Sequence, residues 1–246
     1  MAWKMFAINL IVTFLLAYTT AEIPSYMHVC GRKNSDLNKC IMNSIEDLRE
    51  NICHGIPELK SPPLEPFVIN KLIISDVDNA KMYVKDAHIS ELCHFKLDSF
   101  NIDLSKLHFD AVISFNKVPI NGTYDFDVRV LVPFSNKGPV FLTAGDIVAN
   151  LGVDLTMVNK GDKNYVYVSK LNLQLDIKTL DSKFDEGEKD LGQLNEILSS
   201  FLGSNQQEFI NKVKPSIEKE ISEKIIVIAN TILKHFTYDE LFPDRE

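Results

Sequence analysis

The sequence predicts an α+β protein in which a long C-terminal helix is wrapped by a strongly curved antiparallel β-sheet around an elongated apolar interior. Three observations lead there. Apolar and polar residues alternate with period two over four runs between Leu107 and Lys178. A stripe of apolar residues recurs every three or four positions from Phe209 to Phe236. All four cysteines lie between an apolar N-terminal run and those long alternating segments.

The chain opens with Lys4 and an apolar run from Phe6 to Ala17, too short to span a bilayer. Small residues at Thr19, Thr20 and Ala21 suit a signal peptidase. Residues 1–21 are therefore expected to be a signal peptide cleaved before Glu22, and residues 22–246 a single domain of a secreted, extracellular protein. No later stretch approaches the roughly 18 unbroken apolar residues of a membrane span, so no stable membrane insertion is expected. Cleavage would remove Lys4 and no acid, moving the formal charge from −8 to −9, together with Trp3, the only tryptophan. Such an acidic chain is a poor partner for nucleic acid or anionic lipid.

Cys30, Cys40, Cys53 and Cys93 allow three disulfide connectivities. Pairing nearest neighbours closes one short loop and one longer one, each contributing roughly 2 to 4 kcal/mol. The rival use is metal, since Cys53-His54 and Cys93-His94 are Cys-His pairs. Zinc sites use separated ligands such as C-x2-C and H-x3-H, and an oxidising compartment favours disulfides, so no metal and no cofactor are expected.

Leu37, Ile41, Ile45, Leu48 and Ile52 recur at helical spacing and predict an amphipathic helix from about Ser35 to Ile52, stopped before Gly55 and Pro57. The proline-rich segment that follows, through Ser61-Pro62-Pro63-Leu64-Glu65-Pro66, predicts an extended connector, because each proline lacks a donor and fixes φ. Leu107, Phe109, Ala111, Ile113 and Phe115 then share one strand face, and Tyr124, Phe126, Val128, Val130 and Val132 another. Pro119-Ile120-Asn121-Gly122 between them predicts a hairpin turn. Two more alternating strands carry Leu151, Val153, Leu155 and Met157, and Leu171, Leu173, Leu175 and Ile177. Strands of ten to twelve residues span roughly 35 to 40 Å. A helix of about 30 residues over Asn205–His235, with a kink at Pro215, spans about 45 Å and can cover them.

The order of these features resembles the insect takeout and haemolymph juvenile hormone binding protein family. The resemblance rests on the first cysteine pair flanking a helix start, on Gly55-Ile56-Pro57-Glu58-Leu59, and on Pro62-Pro63-Leu64-Glu65-Pro66-Phe67. It continues through Tyr124-Asp125-Phe126-Asp127-Val128-Arg129-Val130-Leu131-Val132-Pro133-Phe134 to the closing Tyr238-Asp239-Glu240-Leu241-Phe242-Pro243. It implies a super-roll of the TULIP type holding a lipid or terpenoid in an internal tunnel, and it maps the family's disulfide onto Cys30 and Cys40. Cys53 and Cys93 lie outside the common pattern. Glu65 stands where the family commonly has aspartate, and the expected turn after Pro133, Phe134-Ser135-Asn136-Lys137-Gly138, has only one glycine.

One-faced strands and a one-faced helix define an apolar interior, which in most proteins is packed core. A long tube lined by Phe, Val, Ile and Leu is readily left underfilled, and a dry apolar tunnel is a ligand site. The candidate ligand-binding residues are Phe109, Ile113, Phe115, Tyr124, Phe126, Val128, Val130, Leu151, Val153, Leu155, Leu171, Leu173 and Leu175 from strands, with Ile217, Ile221 and Ile225 from the helix. Core packing is the alternative for each. Tyr124, Tyr165 and Tyr167 are candidates for polar groups at a tunnel mouth.

No catalytic residue is expected. The sequence lacks G-x-S-x-G, H-E-x-x-H, a P-loop and G-x-G-x-x-G, and its six histidines are scattered. The acidic stretch from Asp181 to Asp190 reads as a solvated turn, because Lys183 and Glu186 stand where a calcium loop needs an acid and a glycine. Asn121-Gly122-Thr123 is a sequon for N-glycosylation. The expected function is that of a secreted carrier whose partner is a small hydrophobic ligand; the alternative is an extracellular interaction module with a filled core.

Overall fold

The computed structural model describes residues 23–129, 133–184 and 206–246. The expected signal peptide, Val130 and the acidic residues Asp185–Asp190 lie outside them. Two short helices, α1 (Leu37–Asp47) and α2 (Arg49–His54), precede six strands: β1 (Phe67–Val77), β2 (Ala80–Ile89), β3 (Lys96–Asp103), β4 (His108–Arg129), β5 (Pro133–Lys160) and β6 (Lys163–Phe184). The long helix α3 (Gln206–Leu233) and the one-turn helix α4 (Tyr238–Leu241) follow. The N-terminal helical stretch begins where Asp36 accepts from the Lys39 N–H at 3.3 Å. It pauses at Leu48 and ends at Gly55, whose φ of 87° suits only glycine. The connector is not wholly extended, for Pro57 opens a single 3-10 turn, where its missing N–H is no loss.

All strands form one antiparallel sheet of order β1-β2-β4-β5-β6, with β3 also paired to β4. The pairings β2 with Ile120–Val128 and β3 with His108–Ser114 place these two strands end to end along one side of β4. The expected hairpin at Pro119–Gly122 does not exist; β4 runs through it as one strand of 22 residues. Pro119 is tolerated because its carbonyl accepts from Ser90, which puts the missing N–H of the same residue on the side where β2 has ended and β3 not begun. Gly122 is required by a close approach: a Cβ there would lie 2.8 Å from Val84 Cγ1 and 3.1 Å from the Lys85 carbonyl oxygen, beside the bulge between Lys85 and His88.

The inward-facing set changes parity along β4, from Ile113 and Phe115 to Val118 and Ile120, with Asn116 and Lys117 both turned outward. The same slip occurs at the same level in β5, between Ala144 and Ile147, and in β6, between Ile177 and Leu180. Phe115 still pairs with Ile147, Lys117 with Gly145, and Gly145 with Thr179. A slip made in all three strands together preserves register, whereas a slip in one alone would turn its apolar face to water. Asp146 takes a φ of 50°, and a Cβ on Gly145 would stand 2.4 Å from Thr179 Oγ1.

Helix α3 packs against β6 and β1, the two ends of the sheet path, so it lies across the opening of the curled sheet. Its polar side chains satisfy the free edge of β6: Gln206 donates to the Leu180 carbonyl at 2.6 Å, Glu218 accepts from the Leu175 N–H at 2.7 Å, and Asn230 holds both the N–H and the carbonyl of Val168, at 2.8 and 3.0 Å. The 24 residues from Gln206 to Asn230 rise about 36 Å, matching about 40 Å of strand from Leu180 to Val168. On the other side Lys224 donates to the Val68 carbonyl. Pro215 faces solvent within the helix.

Disulfides join Cys30 to Cys40 and Cys53 to Cys93, with Cα separations of 6.0 and 5.8 Å. Beyond α3, Phe236 is fully buried with Ile56 and Leu59, and Thr237 and Glu240 form a capping box for α4. Arg32 pairs with Asp239 at 3.0 Å and Asp244 at 3.4 Å, tying the N-terminal segment to the C-terminal one.

Three outcomes test this account. Gly122→Ala should cost about 1–3 kcal/mol in denaturant unfolding, because a strand residue meets crowding that a turn residue would escape. Glu218→Ala should cost about 1–3 kcal/mol by leaving the Leu175 N–H unpaired, and Glu218→Gln, which keeps an acceptor, clearly less. His108 lies between Asp154 at 2.6 Å and Asp110 at 3.3 Å, and these partners, Asp154 foremost, raise its pKa above the ordinary histidine value. A raised folded-state pKa contributes stability that is complete below about pH 6.5 and lost as pH rises through the folded value. The Tm difference between wild type and His108→Gln should therefore be larger at about pH 5.5 than at about pH 8.5.

Candidate functional site

Between α3 and the concave face of the sheet lies a cavity of about 310 Å³. Its described lining is wholly aliphatic or phenylalanine. β4, β5 and β6 contribute Ile113, Phe115, Val118, Ile120, Leu142, Ala144, Ile147, Ala149, Leu151, Leu173, Leu175, Ile177 and Leu180. The helix contributes Phe209, Ile210, Val213, Ile217, Ile221 and Ile225, and Leu64, Phe67, Leu72, Ile74, Val84, Ala87, Ile89, Leu92 and Phe95 complete the wall. Ala87, Ala144 and Ala149 stand at inward positions of that wall, where a larger side chain would take up part of the space.

A second cavity of about 300 Å³ adjoins the first, and Ile74, Val84, Leu142, Leu180 and Phe209 line both. It differs in chemistry, since Tyr124, Asp181, Ser182 and Gln206 are in its wall beside Met82, Phe126, Val140 and Phe184. Tyr124 is buried, its ring packed edge-on against Phe184 at 5.4 Å and its hydroxyl donating to Asn136 Oδ1 at 3.2 Å. Burial pushes the phenol pKa up from its ordinary value. The interior thus has an apolar end and a mixed end.

Of the residues singled out from the sequence, Ile113, Phe115, Leu151, Leu173, Leu175, Ile217, Ile221 and Ile225 line the apolar cavity, and Tyr124 and Phe126 the mixed one. Phe109 stacks on Phe100 at 5.2 Å, Val128 and Val153 are buried, and Leu155 and Leu171 are half-buried; none of these five lines either cavity. Tyr165 and Tyr167 sit beside Lys160 near the β5–β6 turn, away from both cavities. The sequence reading passed over the β1 and β2 wall, the alanines and Phe209. Alanine at an inward position of an alternating strand was the available signal.

The wall is secured where β4 has no partner strand on the side shared by β2 and β3. Leu92 and Phe95 sit there, and Cys93 between them is bonded to Cys53 of α2. Arg49 donates to the carbonyls of Cys93 and Phe95 at 2.8 and 2.7 Å, with its guanidinium 3.9 Å from the Phe95 ring centre, while Glu65 accepts from the Cys93 N–H at 2.5 Å. Among the described residues no cluster of three or more His, Cys, Asp or Glu is placed to hold a metal ion, and no helix is long and apolar enough to cross a membrane.

Comparison with known proteins agrees with this architecture. Takeout 1 of Epiphyas postvittana superposes with a TM-score of 0.69 at 18% identity, covering 85% of this chain and 98% of that one, which establishes the shared fold. A Schistocerca gregaria protein provisionally named a beta-carotene-binding protein is 19% identical over 216 residues, 85% of each chain. The sequence model of the haemolymph juvenile hormone binding protein family matches residues 8–243. With nearly its whole length matched and a long helix laid into a curled sheet around an apolar cavity, the chain belongs to the haemolymph juvenile hormone binding protein family.

Proposed function

We propose that this chain is a secreted carrier that holds a small hydrophobic molecule, a lipid or terpenoid, non-covalently between α3 and the sheet. The observation that carries the reading is the apolar cavity of about 310 Å³, because a filled interaction module has no use for unoccupied space in its core. A ligand that buries about 300 Å² of apolar surface there gains about 7 kcal/mol from desolvation before the entropy cost of association, a cost that a preformed site keeps low. The adjoining mixed cavity favours a ligand with one polar end, directed at Tyr124, Asp181, Ser182 and Gln206. The names of the family and of the Schistocerca relative, for juvenile hormone and beta-carotene, fit an apolar cargo without naming this chain's own. Two disulfides suit an extracellular carrier, as does the short apolar N-terminal run. No covalent step forms part of this function.

Mass spectrometry of the purified protein, native and then solvent-extracted, should find a co-purifying apolar molecule near one per chain. Ala149→Phe, which fills the cavity from its wall, should lower uptake of a fluorescent fatty acid or terpenoid analogue by about tenfold or more while the protein stays folded by circular dichroism. An empty wild-type protein that takes up neither probe would refute the carrier reading.

A further inference from the structure

On the convex face of the sheet four exposed side chains stand in one cross-strand row: His88 of β2, Asn121 of β4, Phe141 of β5 and Lys183 of β6. Phe141 is out of place there. It is 48% exposed, although its neighbours along the row are polar, and it stands directly opposite Asn121 in register. Opposed residues of antiparallel strands bring their Cβ atoms to about 4.5–5.5 Å. A group carried on Asn121 Nδ2 therefore lies within reach of the Phe141 ring.

Asn121, Gly122 and Thr123 form an acceptor sequence for N-linked sugar. The fold itself accounts for Gly122, through the crowding at the β2 bulge, but makes no such demand for asparagine at 121. We infer that Asn121 carries an N-linked glycan whose first N-acetylglucosamine lies on Phe141, covering the ring. This rests on the chain being secreted, since the transfer occurs in the secretory lumen. In the transfer Asn121 Nδ2 forms a bond to C1 of the sugar, the C1–O bond to a polyprenyl pyrophosphate breaks, the amide loses one proton and the lipid pyrophosphate leaves. The pyranose ring presents a face of C–H bonds, and the electron-rich face of phenylalanine is its natural partner. Because Asn121 lies in the middle of β4, between β2 and β5, the transfer precedes closure of the sheet.

The full chain expressed in insect cells supplies the test. In protein recovered from the medium, peptide mass spectrometry should find hexosamine-linked mass on Asn121 that peptide N-glycosidase removes, converting the residue to aspartate. Asn121→Gln and Thr123→Ala should each abolish it. Trimming to a single N-acetylglucosamine should leave Tm unchanged, and Asn121→Gln should lower it by about 2 °C. In a Phe141→Ser background Asn121→Gln should make no difference. A nuclear Overhauser contact between the proximal sugar and the Phe141 ring protons reads the same arrangement in the unmutated protein. Unmodified Asn121 in protein from the medium overturns the inference and leaves secretion standing, whereas unmodified protein confined to the lysate overturns both. An equal loss of Tm with and without Phe141, or absence of the sugar-to-ring contact, overturns the stacking.

Discussion

The structure depends on the seam between α3 and the two strands that end the sheet path, β1 and β6. A sheet curled this far leaves β1 and β6 facing each other as unpaired edges, and exposed edges invite association with other chains. A single helix answers both needs at once. Its apolar stripe, Ile210, Val213, Ile217, Ile221 and Ile225, turns toward the concave face, while Gln206, Glu218 and Asn230 serve the β6 backbone and Lys224 serves β1. Hydrophobic burial sets how strongly the helix is held, and these hydrogen bonds set where along the strand it lies.

Once that placement is set, the interior follows from side-chain size. Leucine and isoleucine at inward positions reach across toward the helix, while alanine leaves a gap that the rigid seam keeps from collapsing. The wall of that gap is weakest where β2 ends before β3 begins. There the chain uses covalent and charged restraints in place of strand pairing: the Cys53–Cys93 bond, the Arg49 fork and the Glu65 carboxylate converge on one short segment. The second disulfide is therefore as much a part of the cavity as the residues that line it.

Much of this was legible in the sequence. Period-two alternation identified the long strands and the inward faces of Ile113, Leu151 and Leu173, and the helical stripe placed the C-terminal helix to within a few residues. Two readings went astray for the same reason. The parity change between Phe115 and Tyr124 looked like two strands, and Asn121-Gly122 looked like the turn joining them, because a local pattern carries no record of the strand alongside. What fixes Gly122 is Val84, some forty residues earlier in the chain. The same limit applies to the cavity. Alternation separates inside from outside, but whether an inward residue meets packing or space depends on its distance from a helix a hundred residues away, so Val128 and Val153 were grouped with Leu151 though they line neither cavity.

The matched parity slip across β4, β5 and β6 has an evolutionary side. A one-residue insertion or deletion confined to β4 near Asn116 would rotate half of that strand relative to its neighbours and expose every apolar side chain beyond it. Only a compensating change at Gly145–Asp146 and at Lys178–Thr179 restores the faces. This level of the sheet therefore varies as a unit. A surface loop can change length without this penalty, but three distant points in the chain are bound to one another by a constraint that no single mutational event can satisfy.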